Sequence, residues 1–174
     1  MTTLINIQPA HQKLFKQGFY LMLFKPERIP PHIGLIANNQ FFDLNVKGKN
    51  VAAQLNDERL FSATNAFLAL KLNLNENSEF LSPFFAKYQS VTDKVSCFAP
   101  VKDYFNTVLN EDFKTVQFVY HLIPLLYKND LVEQVYAFNL NTNTKHSTFQ
   151  LKEYTHQDII NQINKIKKTQ RVAG

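Results

Sequence analysis

The chain has one cysteine among its 174 residues, Cys97, and a lone thiol of this kind is a candidate nucleophile. In cysteine catalysis a thiolate attacks the substrate, a histidine takes the thiol proton, and a polar group orients the histidine. Ser96 is a favourable N-cap and Pro100 fits a first helical turn, so a helix is predicted from Ser96 through Leu109. Cys97 is therefore expected at a helix N-terminus, where the helix dipole stabilises a thiolate.

A histidine suited to the role of base begins a predicted β-hairpin. Residues 32–36 and 40–46 are expected to form two strands, because apolar side chains dominate both segments. Between them, Asn38 and Asn39 tolerate the positive φ angles that a tight turn needs. With a two-residue turn, the residues that share one face of the sheet are 32, 34, 36, 41, 43 and 45.

The same register provides candidate partners for the imidazole of His32. Gly34 pairs with Asp43, which places Asp43 diagonal to His32 at about 7–8 Å between Cα atoms. The hydrogen side chain of Gly34 is expected to leave the space between them empty. Asn45 lies opposite His32 in this register. Either Asp43 or Asn45 is therefore expected to hold the imidazole.

Residues 18–48, which read GFYLMLFKPERIPPHIGLIANNQFFDLNVKG, resemble part of a known enzyme family. They are similar to the strand, loop and His-x-Gly hairpin of papain-like NlpC-type peptidases and of their circularly permuted relatives related to lecithin:retinol acyltransferase. In these proteins a glycine opens a strand, a histidine begins the next strand, and a polar residue follows across the hairpin. In the permuted branch the nucleophilic cysteine comes later, at a helix start.

The resemblance implies a role for each matching residue. His32 matches the general base, Gly34 the small residue after it, Asp43 the third polar residue, and Cys97 the nucleophile. The order of histidine before cysteine is that of the permuted branch. The implied architecture is a permuted papain-like α+β fold, with an antiparallel sheet packed against helices and the nucleophile at a helix N-terminus.

The implied activity is that of a thiol hydrolase or acyltransferase that cleaves an amide or ester through an acyl-enzyme on Cys97. The substrate would be a peptide, another amide or a lipid ester, and no cofactor is implied. The remaining histidines lack the spacing of metal ligands, so no metal site is predicted; they are His11, His121, His146 and His156. Only four glycines are present, and no glycine-rich phosphate loop is formed.

The rest of the chain reads as a mixture of helices and strands, which also favours an α+β class. Residues 50–72 are rich in Ala and Leu and predict one or two helices, and residues 80–88 predict another. Residues 113–127 are apolar and of ambiguous type. Residues 132–140 and 147–151 predict two antiparallel strands joined by residues 141–146. Thr155 and Asp158 resemble a capping box ahead of an isoleucine-rich helix.

Composition points to one domain spanning residues 1–174, because 45% of the residues are hydrophobic and 19% are charged. A single cysteine fits a reducing compartment. No secretory signal and no apolar run long enough to cross a bilayer is present, so a cytoplasmic protein is expected. The oligomeric state is left open.

An alternative reading is a noncatalytic binding module. The formal net charge is +5, and part of the excess lies in a basic end at about residues 165–174, with Lys165, Lys167, Lys168 and Arg171. Such a cluster is typical of a helix C-terminus, where cations interact favourably with the helix dipole. The sequence does not favour nucleic-acid binding, because it has no recognition motif and no aromatic residues interleaved with the basic ones.

Overall fold

The computed structural model describes residues 1–140 and 147–173. These residues form an α+β fold in which a large, mostly antiparallel sheet packs against helices. The strands are β1 (Thr2–Leu4), β2 (Ile7–Pro9), β3 (Phe19–Phe24), β4 (His32–Ala37), β5 (Gln40–Asn45), β6 (Gly48–Gln54), β7 (Phe67–Leu72), β8 (Val132–Phe138) and β9 (Phe149–Leu151). The helices are α1 (Asp57–Leu60), α2 (Ser78–Ala86), α3 (Ala99–Val108), α4 (Val119–Lys128) and α5 (His156–Val172).

Seven strands form the main sheet in the order β2, β8, β7, β3, β4, β5, β6, and β1 pairs with β9 in a separate ladder. Neighbours in the main sheet are antiparallel except for β2 and β8, which are parallel. β3 lies at the centre, between β4 and β7. The hairpin of β4 and β5 therefore extends from a fully paired central strand.

Both faces of the central strand β3 are covered. On one face Leu21 and Leu23 belong to the larger apolar cluster, to which α2, α3 and α4 also contribute. On the opposite face Tyr20 and Met22 belong to a smaller cluster with Leu60 of α1. Because burial of each large apolar side chain stabilises the fold by roughly 1.5–3 kcal/mol, a one-residue slip of β3 would be costly on both faces.

The predicted hairpin is confirmed with its register. Ala37 pairs with Gln40 and Gly34 with Asp43, as a two-residue turn requires. Asn38 and Asn39 in the turn have φ angles of 46° and 68°. Two consecutive left-handed residues are the signature of a type I′ turn, which matches the twist of the flanking strands.

The prediction of helices across residues 50–72 is wrong for most of that segment. β6 and β7 occupy its two ends, and α1 is a single turn between them. β7 lies between β3 and β8, and five of its six residues are buried. A strand covered on both faces has a continuous apolar sequence, so its Leu and Ala residues resembled a helix.

The predicted pairing of the last two strands is also wrong. β8 pairs with β7 and β2, whereas β9 pairs with β1. The alternation of apolar and polar residues identified both strands but not their partners. The predicted connection at residues 141–146 lies outside the described residues.

The predicted helices near residues 80–88, 96–109 and 155 onward are present as α2, α3 and α5. Thr155 and Asp158 form the predicted capping box of α5. On the predicted apolar face of α5, Ile160, Ile163 and Ile166 are 45–56% exposed. Within the described ranges, no helix is both long enough and apolar enough to cross a membrane.

Replacement of Gly34 by alanine tests how tightly the hairpin is packed. The added methyl group would lie 2.8 Å from the Phe41 ring and 2.8 Å from the Phe42 carbonyl oxygen. Because the carbonyl is part of the β4–β5 ladder, the strands must separate, and Gly34→Ala should lower the free energy of unfolding by about 1–3 kcal/mol. Urea unfolding measures this loss, with circular dichroism to confirm that the variant folds. An unchanged midpoint would contradict the close packing.

Candidate active site

His32 and Asp43 meet across the β4–β5 hairpin. The Nε2 atom of His32 lies 2.7 Å from Oδ2 of Asp43. The side chain of Asp43 is only 7% exposed, whereas that of His32 is 35% exposed. The space at Gly34 is not empty as expected, because the Phe41 ring occupies it. The predicted contact is therefore made beside the Phe41 ring rather than across a void.

The second carboxylate oxygen of Asp43 is held by Asn50 of β6. Both the backbone N–H and the Nδ2 of Asn50 donate to Asp43 Oδ1, at 3.2 and 2.7 Å. Asn45, the other candidate partner of His32, instead accepts a hydrogen bond from the Lys47 backbone N–H. Asp43 is thus the residue that contacts the imidazole, and Asn50 is a positioning residue that the sequence analysis missed.

Cys97 lies in the turn that leads into α3, two residues before its first residue, Ala99. The predicted capping role of Ser96 is wrong, because Phe98 is the N-cap and no side chain caps this helix. The Ser96 carbonyl instead accepts from the Ala99 backbone N–H. The Sγ atom of Cys97 lies 3.9 Å from the carbonyl oxygen of Pro31, the residue before His32.

The electrostatics of the site couple the thiol, the imidazole and the carboxylate. Burial alone lowers the pKa of His32, but the hydrogen bond with Asp43 and the interactions with the nearby Cys97 and Asp43 raise it to about 9. Burial raises the pKa of Asp43, but hydrogen bonds from His32 and Asn50 and the imidazolium charge outweigh it, so this pKa is lowered. A charged imidazole at neutral pH follows from both effects.

Two connections hold the Cys97 segment against the hairpin. The Val91 backbone N–H donates to the Asn45 carbonyl at the end of β5, at 2.9 Å. The Lys49 ammonium group donates to the carbonyls of Ala86 and Tyr88, at 2.5 and 2.7 Å. Both contacts tie the chain between α2 and Cys97 to the strands that carry Asp43 and Asn50.

Tyr154, which follows β9, is buried in the larger apolar cluster against which Cys97 packs, and it was not identified from the sequence. Burial raises the pKa of its phenol. Its carbonyl accepts a hydrogen bond from the Tyr120 hydroxyl group. Nearby, the Lys152 ammonium group donates to the Glu27 carbonyl at 3.3 Å, in the loop before His32. The segment after β9 therefore contacts the loop that precedes His32.

The arrangement assigns different functions to the two imidazole nitrogens. Nε2 of His32 is engaged by Asp43, so Nδ1 is the nitrogen that remains for the thiol. Among residues 1–140 and 147–173, no group of three His, Cys, Asp or Glu side chains is arranged to hold a metal ion. The chemistry that these side chains can perform is proton transfer at His32 and nucleophilic attack by Cys97.

Comparison of the chain with protein-family models, with curated proteins and with solved structures finds no match in any of the three. The fold and the site define an α+β protein in which His32 contacts Asp43 and the Cys97 thiol lies beside Pro31, the residue that precedes His32. The papain-like family stays a prediction from the residues.

The pKa of His32 predicts how stability depends on pH. An unfolded histidine titrates near 6.5 and folded His32 near 9, so its interactions stabilise the fold fully below about pH 6.5. This stabilisation is lost as the pH rises from 6.5 through 9. Urea unfolding of the wild type should show this decline, and His32→Gln should remove it. Parallel pH profiles of the two proteins would contradict the raised pKa.

Replacement of Asn50 tests whether it positions the carboxylate. Asn50→Ala removes the Nδ2 donor, so the pKa of Asp43 should rise and the free energy of unfolding should fall by about 1–3 kcal/mol. Carboxyl NMR titration reports the first effect and urea unfolding the second. Asn75→Ala, at an exposed asparagine outside the hairpin, is the control. An unchanged Asp43 titration would show that the backbone N–H of Asn50 is sufficient.

Proposed function

We propose that the protein is a thiol hydrolase or acyltransferase that cleaves an amide or ester through an acyl-enzyme on Cys97. His32 takes the thiol proton, and Asp43 orients and stabilises the imidazolium. The proposal includes the permuted papain-like fold that the resemblance implies. The observation that carries it is the 2.7 Å contact between His32 and Asp43 with the Cys97 thiol close by, 3.9 Å from the carbonyl oxygen of Pro31, the residue before His32.

The proposed reaction has two halves. The Cys97 thiolate attacks the carbonyl carbon, the bond between this carbon and the leaving atom breaks, and the His32 imidazolium gives its proton to the leaving group. Water then attacks the thioester carbonyl while His32 takes its proton, and departure of the Cys97 sulfur releases the acid and restores the thiolate and the imidazolium. With an amine or alcohol in place of water, the same steps give acyl transfer.

Backbone N–H groups beside the thiol are available to the oxyanion of the tetrahedral intermediate. The Ala99 N–H is already bonded to the Ser96 carbonyl. Within the described residues, the N–H groups of Cys97 and Phe98 have no hydrogen-bond acceptor. Donors preorganised where negative charge develops are a major source of rate enhancement in acyl transfer.

The rate of Cys97 alkylation tests the proposed ion pair. An ordinary thiol is about 1% ionised at pH 6.5, whereas a thiolate paired with an imidazolium stays mostly ionised. Iodoacetamide should therefore modify the wild type about tenfold or more faster than His32→Ala at this pH. Asp43→Asn should also be slower, because the imidazolium loses its carboxylate. Mass spectrometry of the modified chain measures these rates.

A second readout tests the acyl-enzyme itself. Brief treatment with 4-nitrophenyl acetate should add one acetyl group to Cys97, and Cys97→Ser should release no burst of nitrophenol. Lys94→Ala, at an exposed residue three positions before the thiol, is a control that should behave like the wild type. A slow thiol that is indifferent to His32, together with no acetylation, would make Cys97 structural and favour the noncatalytic binding module.

A further inference from the structure

A cavity of about 330 Å³ opens beside His32 on the smaller-cluster face of the sheet. This volume is at the lower end of the roughly 300–1,000 Å³ that ligand pockets usually have. His32 lines this cavity, and Cys97 does not. The cavity therefore adjoins the imidazole but not the thiol.

The walls of the cavity combine aromatic rings with one cation. Phe24 and Phe41 meet edge to face with their centroids 5.8 Å apart, and Phe24 also lies 5.8 Å from the His32 ring. Apart from His32, the cation among the lining residues is Arg59 of α1, which is exposed. A ligand with a flat or aliphatic body and one charged end fits these walls.

The polar groups of the cavity favour an anion. Asp43 is the only carboxylate among the lining residues, and His32 and Asn50 already engage it. Among the residues described, no carboxylate lies within 4.0 Å of the Arg59 guanidinium group. The Asn56 side-chain oxygen accepts from the Arg59 backbone N–H, which leaves the Nδ2 donors of Asn56 for a ligand.

We infer that this cavity binds the leaving group of the substrate and that Arg59 selects leaving groups that carry a carboxylate. The inference rests on the proposed function. The His32 imidazolium must give its proton to the leaving atom, so the leaving group has to lie beside His32 while the acyl group stays on Cys97. The leaving atom itself must lie between Cys97 and Nδ1 of His32, and the cavity that adjoins His32 can hold the rest of the leaving group. The substrate class is an amide or ester of a small amine or alcohol that bears a carboxylate, such as a C-terminal amino acid.

Three aryl acetates that differ only in the charge of the leaving group test the role of Arg59. These are 4-carboxyphenyl acetate, phenyl acetate and 4-(trimethylammonio)phenyl acetate. Within each protein, the ratio of kcat/KM for the carboxylate ester to that for the cationic ester is measured, with phenyl acetate as the neutral reference. Intrinsic differences in ester reactivity cancel when this ratio is compared between variants.

The wild-type ratio should fall about fivefold to tenfold in Arg59→Gln, because a charged hydrogen bond to the leaving group is lost. It should fall further in Arg59→Glu, which repels the carboxylate. Arg171→Gln, the same substitution at an exposed arginine of α5, should keep the wild-type ratio.

Two results would overturn the inference, and they are distinguishable. Hydrolysis that depends on Cys97 but has the same ratio in the wild type and both Arg59 variants would overturn the role of Arg59 and leave the proposed function standing. If the wild type and Cys97→Ser hydrolyse each of the three esters at the same rate, the proposed function is overturned, and the inference with it.

Discussion

The hydrogen bond between His32 and the buried carboxylate of Asp43 is the interaction on which the site depends. Only 7% of the Asp43 side chain is exposed, and burial of a carboxylate costs free energy unless it is paired with a cation and hydrogen-bonded. Asp43 satisfies this condition from two directions, through His32 on one oxygen and Asn50 on the other. The same contacts fix the imidazole, so the stability of the hairpin and the orientation of the base have one physical cause.

The sheet explains how residues far apart in the chain reach this point. β3 is buried on both faces and holds β4 in register through a full ladder of paired residues. The side chain of His32 belongs to the smaller-cluster face, and Cys97 packs with the larger cluster that α3 helps to form. Because His32 is the first residue of β4, the thiol lies past the end of the strand, beside the carbonyl of the preceding Pro31. The site therefore needs both faces of the sheet to be assembled.

The sequence was sufficient for features set by local geometry and insufficient for those set by strand partners. The Asn38-Asn39 turn determined the hairpin register, and with it the contact between His32 and Asp43, because turn type fixes pairing. Asn50 was missed because residues 50–72 read as helical, whereas the β5–β6 register places it opposite Asp43. The partners of β8 and β9 depend on long-range packing that alternation alone does not encode. Arg59 carried no signal in the sequence, since only the folded chain brings it to the cavity that His32 lines.

Asp43 is buried whereas His32 and Cys97 are partly exposed, and this difference suits the roles that are proposed for them. Asp43 lies in a dry environment, where its charge acts strongly on the imidazole and its geometry is fixed by Asn50. The His32 side chain is 35% exposed and Cys97 is partly exposed, so both are accessible, as the proposed function requires. A base that were fully buried would be as well oriented but closed to substrate. His32 is the first residue of β4, whereas Asp43 pairs with Gly34, further along the same strand. The carboxylate is therefore held inside the sheet while the imidazole stays accessible at the end of the strand.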